Sequence, residues 1–500
     1  MSAPVLRQLR AEWTKFRTVR GWVIGLGAAA LVTVVVGVLS AQTSHATCPG
    51  QRPDQPCTGP RAPGGQAVTD SFYFVHRPLA DHGGLTVRVT SLTGSPAPWA
   101  KTGILVKAGT QQGSSYAALM VTAAHGVRLQ HDFTHDTAGA PGAVSAASPR
   151  WLRLTRSGAT LTGEESTDGT HWTAVGTARL TGLPSASAPV QAGLFTTSPP
   201  LTEASRQRYG GVNSTDQATR ATGTFDHVTL NGGATEGAWR GEQIGGDIAG
   251  ETAGPSGYRE QSDGSFTVSG TGDIAPNVGG PSAGGGETIE RSLLGTFTGL
   301  IVVIVIGTTF ITAEYRRGLI RTTLTASPRR GRALAAKAVV IGAVTFAAAL
   351  PAAAAAVLLG KWLVRPNGFT FPVTALTQVR VIAGTAALLA LCAVLALAVG
   401  AALRRSVAAV TAVFAATVVP YLLATGSVLP EGPARWLLRI TPAAGFAIQQ
   451  NMPRYGWVDS TYTPAFGYFP LPPWGGLAVL AAWTAAALCV ASVLLRRRDV

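Results

Sequence analysis

The chain has 500 residues, of which 46% are hydrophobic and only 13% charged, against roughly 25% charged in a typical soluble protein. Its formal net charge is +15, yet acidic residues outnumber basic ones between positions 42 and 290. The basic surplus therefore flanks long apolar runs, where membrane proteins carry it. This excludes a soluble enzyme, a disordered chain and a nucleic-acid-binding protein.

From the N-terminus, Leu6, Leu9, Trp13 and Phe16 recur at helical spacing, with Arg10 and Arg17 beside that face. Residues 1–20 are predicted to form an amphipathic helix lying on membrane lipid. The apolar run 21–41 is too long for the core of a cleaved signal peptide and reads as a retained membrane helix. Residues 42–71 form a Pro/Gly-rich linker holding Cys48 and Cys57. That pair closes a small disulfide loop if it lies outside the cell; two free thiols or a metal pair are the alternatives.

Residues 72–235 change character. Short runs rich in Val, Thr, Leu and aromatics, such as Leu85 to Val89, Gly103 to Lys107 and Trp151 to Thr155, alternate with Gly, Pro, Ser and Asp. Asp168-Gly169 between two such runs is a hairpin signal. The spacing predicts about ten strands in an antiparallel sandwich. Residues 236–290 are Gly-rich and read mostly as a flexible stalk, with some strand signal at Phe266 to Val268.

The rest, 291–500, carries five more apolar runs at about 293–313, 334–359, 381–403, 406–428 and 474–495. Each is long enough to cross about 30 Å of hydrocarbon. Pro351 and Pro420 are expected to kink their helices rather than end them. With the N-terminus inside, one side carries seventeen basic residues: Arg7, Arg10, Lys15, Arg17, Arg20, Arg316, Arg317, Arg321, Arg329, Arg330, Arg332, Lys337, Arg404, Arg405 and Arg496 to Arg498. The short loops opposite carry six: Lys361, Arg365, Arg380, Arg435, Arg439 and Arg454. The expected fold class is thus an α-helical polytopic membrane protein: six transmembrane helices, both termini cytoplasmic, and a large all-β sandwich inserted outside the cell. The location expected is the plasma membrane, with residues 42–290 extracellular.

Two groups of residues in the sandwich invite a chemical reading. Glu164, Glu165 and Asp168 are close in sequence, as paired carboxylates of glycosidases must be in space. Glu164 and Glu165 point to opposite faces of a strand, so a solvated hairpin tip is the expectation. His131 and His135 share one face of an extended segment at metal-ligand spacing; a polar loop is the expectation. Trp99 and Trp172 are expected in packing roles rather than stacked on sugars. All eight histidines lie between positions 42 and 290, so no span offers a histidine relay.

Two resemblances follow. Trp99 to Ile104, Trp151 to Leu154, Ser166 to Trp172, Val190 to Phe195 and Phe225 to Val228 resemble the concanavalin A-like (laminin G-like) jelly-roll domains, the last as their closing strand. That family includes glycan binders, glycosidases and modules without a ligand, so the fold does not decide function. The second resemblance is to ABC-2-type transporter permeases. It rests on the opening Leu9 to Lys15, the final loop with its apolar pieces Trp436 to Ile440 and Ala443 to Ile448, and above all Ala313 to Lys337. In that family a Glu and a basic pair end the second span, a helix follows, and a Ser/Thr-Pro-basic turn precedes a Lys of the third span.

The resemblance implies a loop that docks on a separate ATPase, built here of Glu314, Tyr315, Arg316, Arg317, Gly318, Leu319, Ile320, Arg321, Leu324 and Pro328. Glu314 is expected to pair with Arg316, Arg317 or a basic residue of the partner, and the apolar side chains to fill its groove. Pro328 ends the helix. No phosphate-cradling Gly-rich loop ending in Gly-Lys-Ser/Thr exists in the chain, so ATP hydrolysis is expected in two copies of a partner subunit. Six spans are half of the usual twelve, which implies a homodimer or a paired permease. The function implied is a permease subunit of an exporter, without cofactor or metal; weakly polar helix faces along the expected path point to an amphipathic substrate. A membrane-anchored sensor whose sandwich recognises a glycan or peptide is the alternative.

Overall fold

The computed structural model describes residues 3–42, 59–183, 185, 188–206, 212–231, 237–246, 254–278, 288–318, 330–364, 371–458 and 462–497. Nine α-helices occur among them. They are α1 (Ala3–Thr18), α2 (Arg20–Gln42), α3 (Ile289–Ser292), α4 (Gly295–Arg316), α5 (Arg330–Val364), α6 (Ala375–Leu403), α7 (Ser406–Thr425), α8 (Glu431–Ile440) and α9 (Pro473–Arg497). Six of these, α2, α4, α5, α6, α7 and α9, are long and apolar enough to cross a membrane. Large apolar side chains such as Ile24, Leu31, Leu376 and Val407 face outward from them, which only a lipid environment makes favourable.

The spans pack through small residues. A Cβ on Gly295 would strike the backbone of Thr33, and one on Gly307 the backbone of Ala393. Glycine there lets α4 approach α2 on one side and α6 on the other, the usual device where lipid supplies no hydrophobic drive between helices. Pro351 and Pro420 sit inside continuous helices α5 and α7. Arg404, in left-handed conformation, turns the chain from α6 into α7.

Between α2 and α3 lie two seven-stranded antiparallel sheets. Across one the order is Thr173–Arg179, Thr160–Ser166, Arg150–Ser157, His82–Thr93, Ala221–Asn231, Phe266–Gly270, Gly257–Glu260. Across the other it is Arg240–Ile244, Phe72–Leu79, Val190–Thr197, Lys101–Lys107, Tyr116–Thr122, Gly126–His131, His135–Ala138. Leu85, Val87, Leu152 and Leu154 of the first meet Ile104, Val106 and Leu119 of the second in a closed core. Each such side chain contributes about 2 kcal/mol by leaving water. The outer face of the second sheet is also covered, by Ala62, Val68, Phe133 and Ile274.

The sandwich corrects three expectations. The 42–71 segment is not a linker throughout, since Val68–Asp70 pairs with Ile274–Pro276. The 236–290 segment is not a stalk throughout: it supplies Arg240–Ile244, Gly257–Glu260, Phe266–Gly270 and Ile274–Pro276 as paired strands. The strand holding Phe225 to Val228 is therefore interior, flanked by His82–Thr93 and Phe266–Gly270, rather than closing its sheet. The domain ends against the membrane helices, where Val278 packs with Phe371, Met452 and Tyr468.

Candidate functional site

At the basic end of the bundle, opposite the sandwich, four charged side chains close a ring. The Lys337 Nζ of α5 lies 2.7 Å from Glu12 Oε2 of α1 and 2.6 Å from Glu314 Oε1 of α4. Lys15 Nζ lies 3.1 Å from Glu12 Oε1 and 3.1 Å from the same Glu314 oxygen. Two ammonium and two carboxylate groups balance, which is what allows charge this far from water. Lys337 is 1% exposed, Glu12 3% and Glu314 8%. Burial alone would lower the Lys15 ammonium, but the charges and hydrogen bonds of Glu12 and Glu314 outweigh it and hold it above its ordinary value.

Helical spacing explains the convergence. Glu12 and Lys15 are three apart and share one face of α1. Beside them Phe16 and Trp22 stack on each other and both meet Phe310 of α4 edge-on, and Lys337 lies 5.2 Å from the Phe310 ring centre. Arg404, from the α6–α7 turn, sits 5.3 Å over the ring of Tyr315. Arg330 donates to the Leu495 carbonyl of α9 at 2.7 Å. One carboxylate oxygen, Glu314 Oε2, is buried with no hydrogen-bond partner among the described residues. The ring thus ties α1, α4 and α5 together just where the 317–330 connection leaves the bundle.

A second feature lies at the sandwich side. A cavity of about 450 Å³ opens between the start of α4 and the end of α7, with Phe297, Tyr421 and Phe466 in its wall. Glu290 of α3 lines it and makes no ion pair or side-chain hydrogen bond among the described residues. Burial pushes its carboxyl up to about 7.

The profile of the ABC-2 family transporter protein matches residues 205–500, more than half of the chain. The chain belongs to the ABC-2 transporter family. It is a multi-pass membrane permease of an ABC transporter, and this family supplies the membrane component rather than the catalytic one, generally pairing with an ABC ATPase.

No curated protein matches this ABC-2 permease. Solved structures similar to parts of it include a functionally unknown protein from Saccharomyces cerevisiae, at 19% identity, covering 34% of this chain and 77% of that one, with a TM-score of 0.23. A GH43 protein from Bacillus licheniformis is 12% identical, covers 23% of this chain and 24% of its own, and has a TM-score of 0.18. Scytalido-glutamic peptidase with a transition-state analogue inhibitor is 6% identical, covers 42% and 100%, and has a TM-score of 0.26. Likeness at these scores carries no argument.

The permease places the sequence-derived residues unevenly. Glu314, Tyr315, Arg316, Arg317 and Gly318 end α4, with Gly318 at a positive φ of 67° where the helix stops. Leu319, Ile320, Arg321, Leu324 and Pro328 lie outside the described residues, as do Cys48 and Cys57. Glu314 corrects its expectation: it pairs with Lys15 and Lys337, not with Arg316 or Arg317. Those lysines win because they reach it from two packed helices.

In the sandwich, Glu164 binds Arg153 at 2.8 Å, Glu165 accepts from the Ala140 amide at 2.6 Å, and Asp168 caps its own turn. These carboxylates do not converge. His131 and His135 stack with ring centres 4.3 Å apart. Among the described residues no cluster of three or more His, Cys, Asp or Glu is placed to hold a metal. Trp99 is buried against His125, and Trp172 stacks on Arg153.

Proposed function

We propose that this permease exports an amphipathic substrate, driven by two copies of a cytoplasmic ATPase that dock on the connection between α4 and α5. Both termini are cytoplasmic in this reading, the sandwich is extracellular, and two six-span units form the complete pathway. The observation that carries it is the charge ring of Glu12, Lys15, Glu314 and Lys337. A force applied to the connection reaches α4 through Glu314 and α5 through Lys337, and the ring passes it to α1. The aromatic cavity beside Glu290 suits the apolar part of a substrate at the far end of the path.

Purification of the full chain from its native membrane in mild detergent, followed by mass spectrometry, tests the reading. An ATPase with a phosphate-binding loop is expected with the native chain and at least tenfold depleted with Leu319→Asp. A stable preparation without any ATPase would remove the transport mechanism. Retention of the ATPase by Leu319→Asp would remove the docking role of the loop.

A further inference from the structure

A cavity of about 740 Å³ lies where the sandwich meets the membrane helices. Gln66 and Thr134 close it from the sandwich; Arg380 of α6, Asn451 and Tyr455 close it from the bundle. Arg380 is the sole charged group among the described residues that line it. Asn451 is 7% exposed, and both polar atoms of its amide are buried without a partner among the described residues. Arg380 Nη2 donates to the Gln450 carbonyl, while its Nε is buried and likewise unpartnered. Buried polar groups in folded proteins almost always find partners; these three have almost no surface open to the cavity as it stands, so a ligand there meets them as the Arg380 and Asn451 side chains turn toward it.

The unmet atoms define the chemistry. Two are donors, Arg380 Nε and Asn451 Nδ2, and one of them is cationic. They match the oxygens of a phosphate or carboxylate. The third, Asn451 Oδ1, accepts, so the ligand also carries a hydroxyl. The first turn of α6 borders the cavity through Thr374 and Thr377, and the positive end of its dipole favours an anion. Among the described residues no carboxylate lines the space to repel one. Phe371, Met452 and Tyr455 add an apolar wall. We infer that this junction is a binding site for the hydroxylated, anionic head group of a phosphate ester, held by Arg380 and Asn451. The site does not depend on the transport mechanism, because its occupancy is read without ATP or turnover.

Thermal unfolding of the purified full chain in neutral detergent tests it, with glycerol phosphate, short-chain phosphatidylglycerol and short-chain phosphatidylcholine as probes. A concentration-dependent rise in Tm is expected with phosphatidylglycerol and none with phosphatidylcholine. A rise with glycerol phosphate as well assigns the site to the free head group; a rise with phosphatidylglycerol alone assigns it to lipid. Arg380→Gln is expected to weaken the apparent affinity at least tenfold. Asn451→Leu is expected to do the same while raising the ligand-free Tm, because it removes a buried amide without partners. It therefore carries the test if Arg380→Gln fails to fold. Equal shifts with phosphatidylcholine, no shift with either anion, or undiminished binding by a folded variant would overturn the assignment.

Discussion

The sandwich and the helix bundle both bury lysines, and they do it differently. In the sandwich, Lys107 and Asp70 are 2.7 Å apart and wholly inaccessible, and Lys101 pairs with Asp273 at 2.7 Å. Each pair lies within one domain. Asp70 also accepts from the Gly113 amide, and Lys107 donates to the Ser114 carbonyl. Burial pushes the Asp70 carboxyl up and the Lys107 ammonium down, each only partly offset by the other's charge. In the bundle, the four charges belong to three helices; among the described residues each set of charges leaves one buried carboxylate oxygen without a partner, Asp70 Oδ1 in the sandwich and Glu314 Oε2 in the bundle. A pair inside one domain joins two of its segments, as Lys107 joins Lys101–Lys107 to Val68–Asp70. A ring shared by three helices makes their positions depend on one another, which is what a coupling device needs.

The largest effect expected from that contrast is at Lys337. Lys337→Met leaves Glu12 and Glu314 buried close together, with Lys15 alone to serve both. Breaking a buried ion pair from one side costs about 3–5 kcal/mol. A large drop in Tm and yield is expected, partly restored by adding Glu314→Gln. A Lys337→Met protein with native Tm would show that the ring carries no structural load.

Lys107→Met is the matching experiment in the sandwich. It strands Asp70 and is expected to cost about 3 kcal/mol, read as earlier unfolding of the outer domain. Adding Asp70→Leu should recover most of the loss, since a pair inside one domain is replaceable by apolar packing. ATPase co-purification should stay native in both variants. Its loss would show that the two regions are coupled after all and would break the comparison.

How legible this was in the sequence differs between the same two regions. The six spans were visible because a charge-free apolar run of about 20 residues is too long for most buried helices of soluble domains and matches the width of a bilayer. Glu314 stood out at a span boundary, but its partners did not. Glu12 and Lys337 are 325 positions apart, and no periodicity links them. A signal did exist: Glu12 and Glu314 are the only acidic residues on the otherwise basic flanks of the first three spans. In the sandwich, the alternation at Leu85 to Val89 and Trp151 to Thr155 announced strands. Beyond 236, glycine diluted the same alternation, so strands such as Arg240–Ile244 read as stalk. Their edges are held by long-range pairing with Phe72–Leu79, which no local window contains.

The smallest of the three effects is at Glu290, and it is separable by pH. Its carboxyl titrates near 4.5 when unfolded and at about 7 in the folded chain, because burial disfavours the charge. The folded state thus holds more protons than the unfolded state between those values, and this group lowers stability as pH rises through that window. Below it the carboxyl is protonated in both states and contributes nothing. Glu290→Gln removes the titration while keeping the shape. The variant should match the native chain at pH 4 and exceed it at pH 8, by about 2 kcal/mol at most once solvent in the cavity is allowed for. Tm measured across that range decides it. The gap should open between pH 4.5 and 7 and stay constant above. A gap already present at pH 4 would assign the effect to packing. No gap at any pH would mean that the carboxylate finds a cation in the native protein, making the mouth of the cavity a charged site rather than an apolar one.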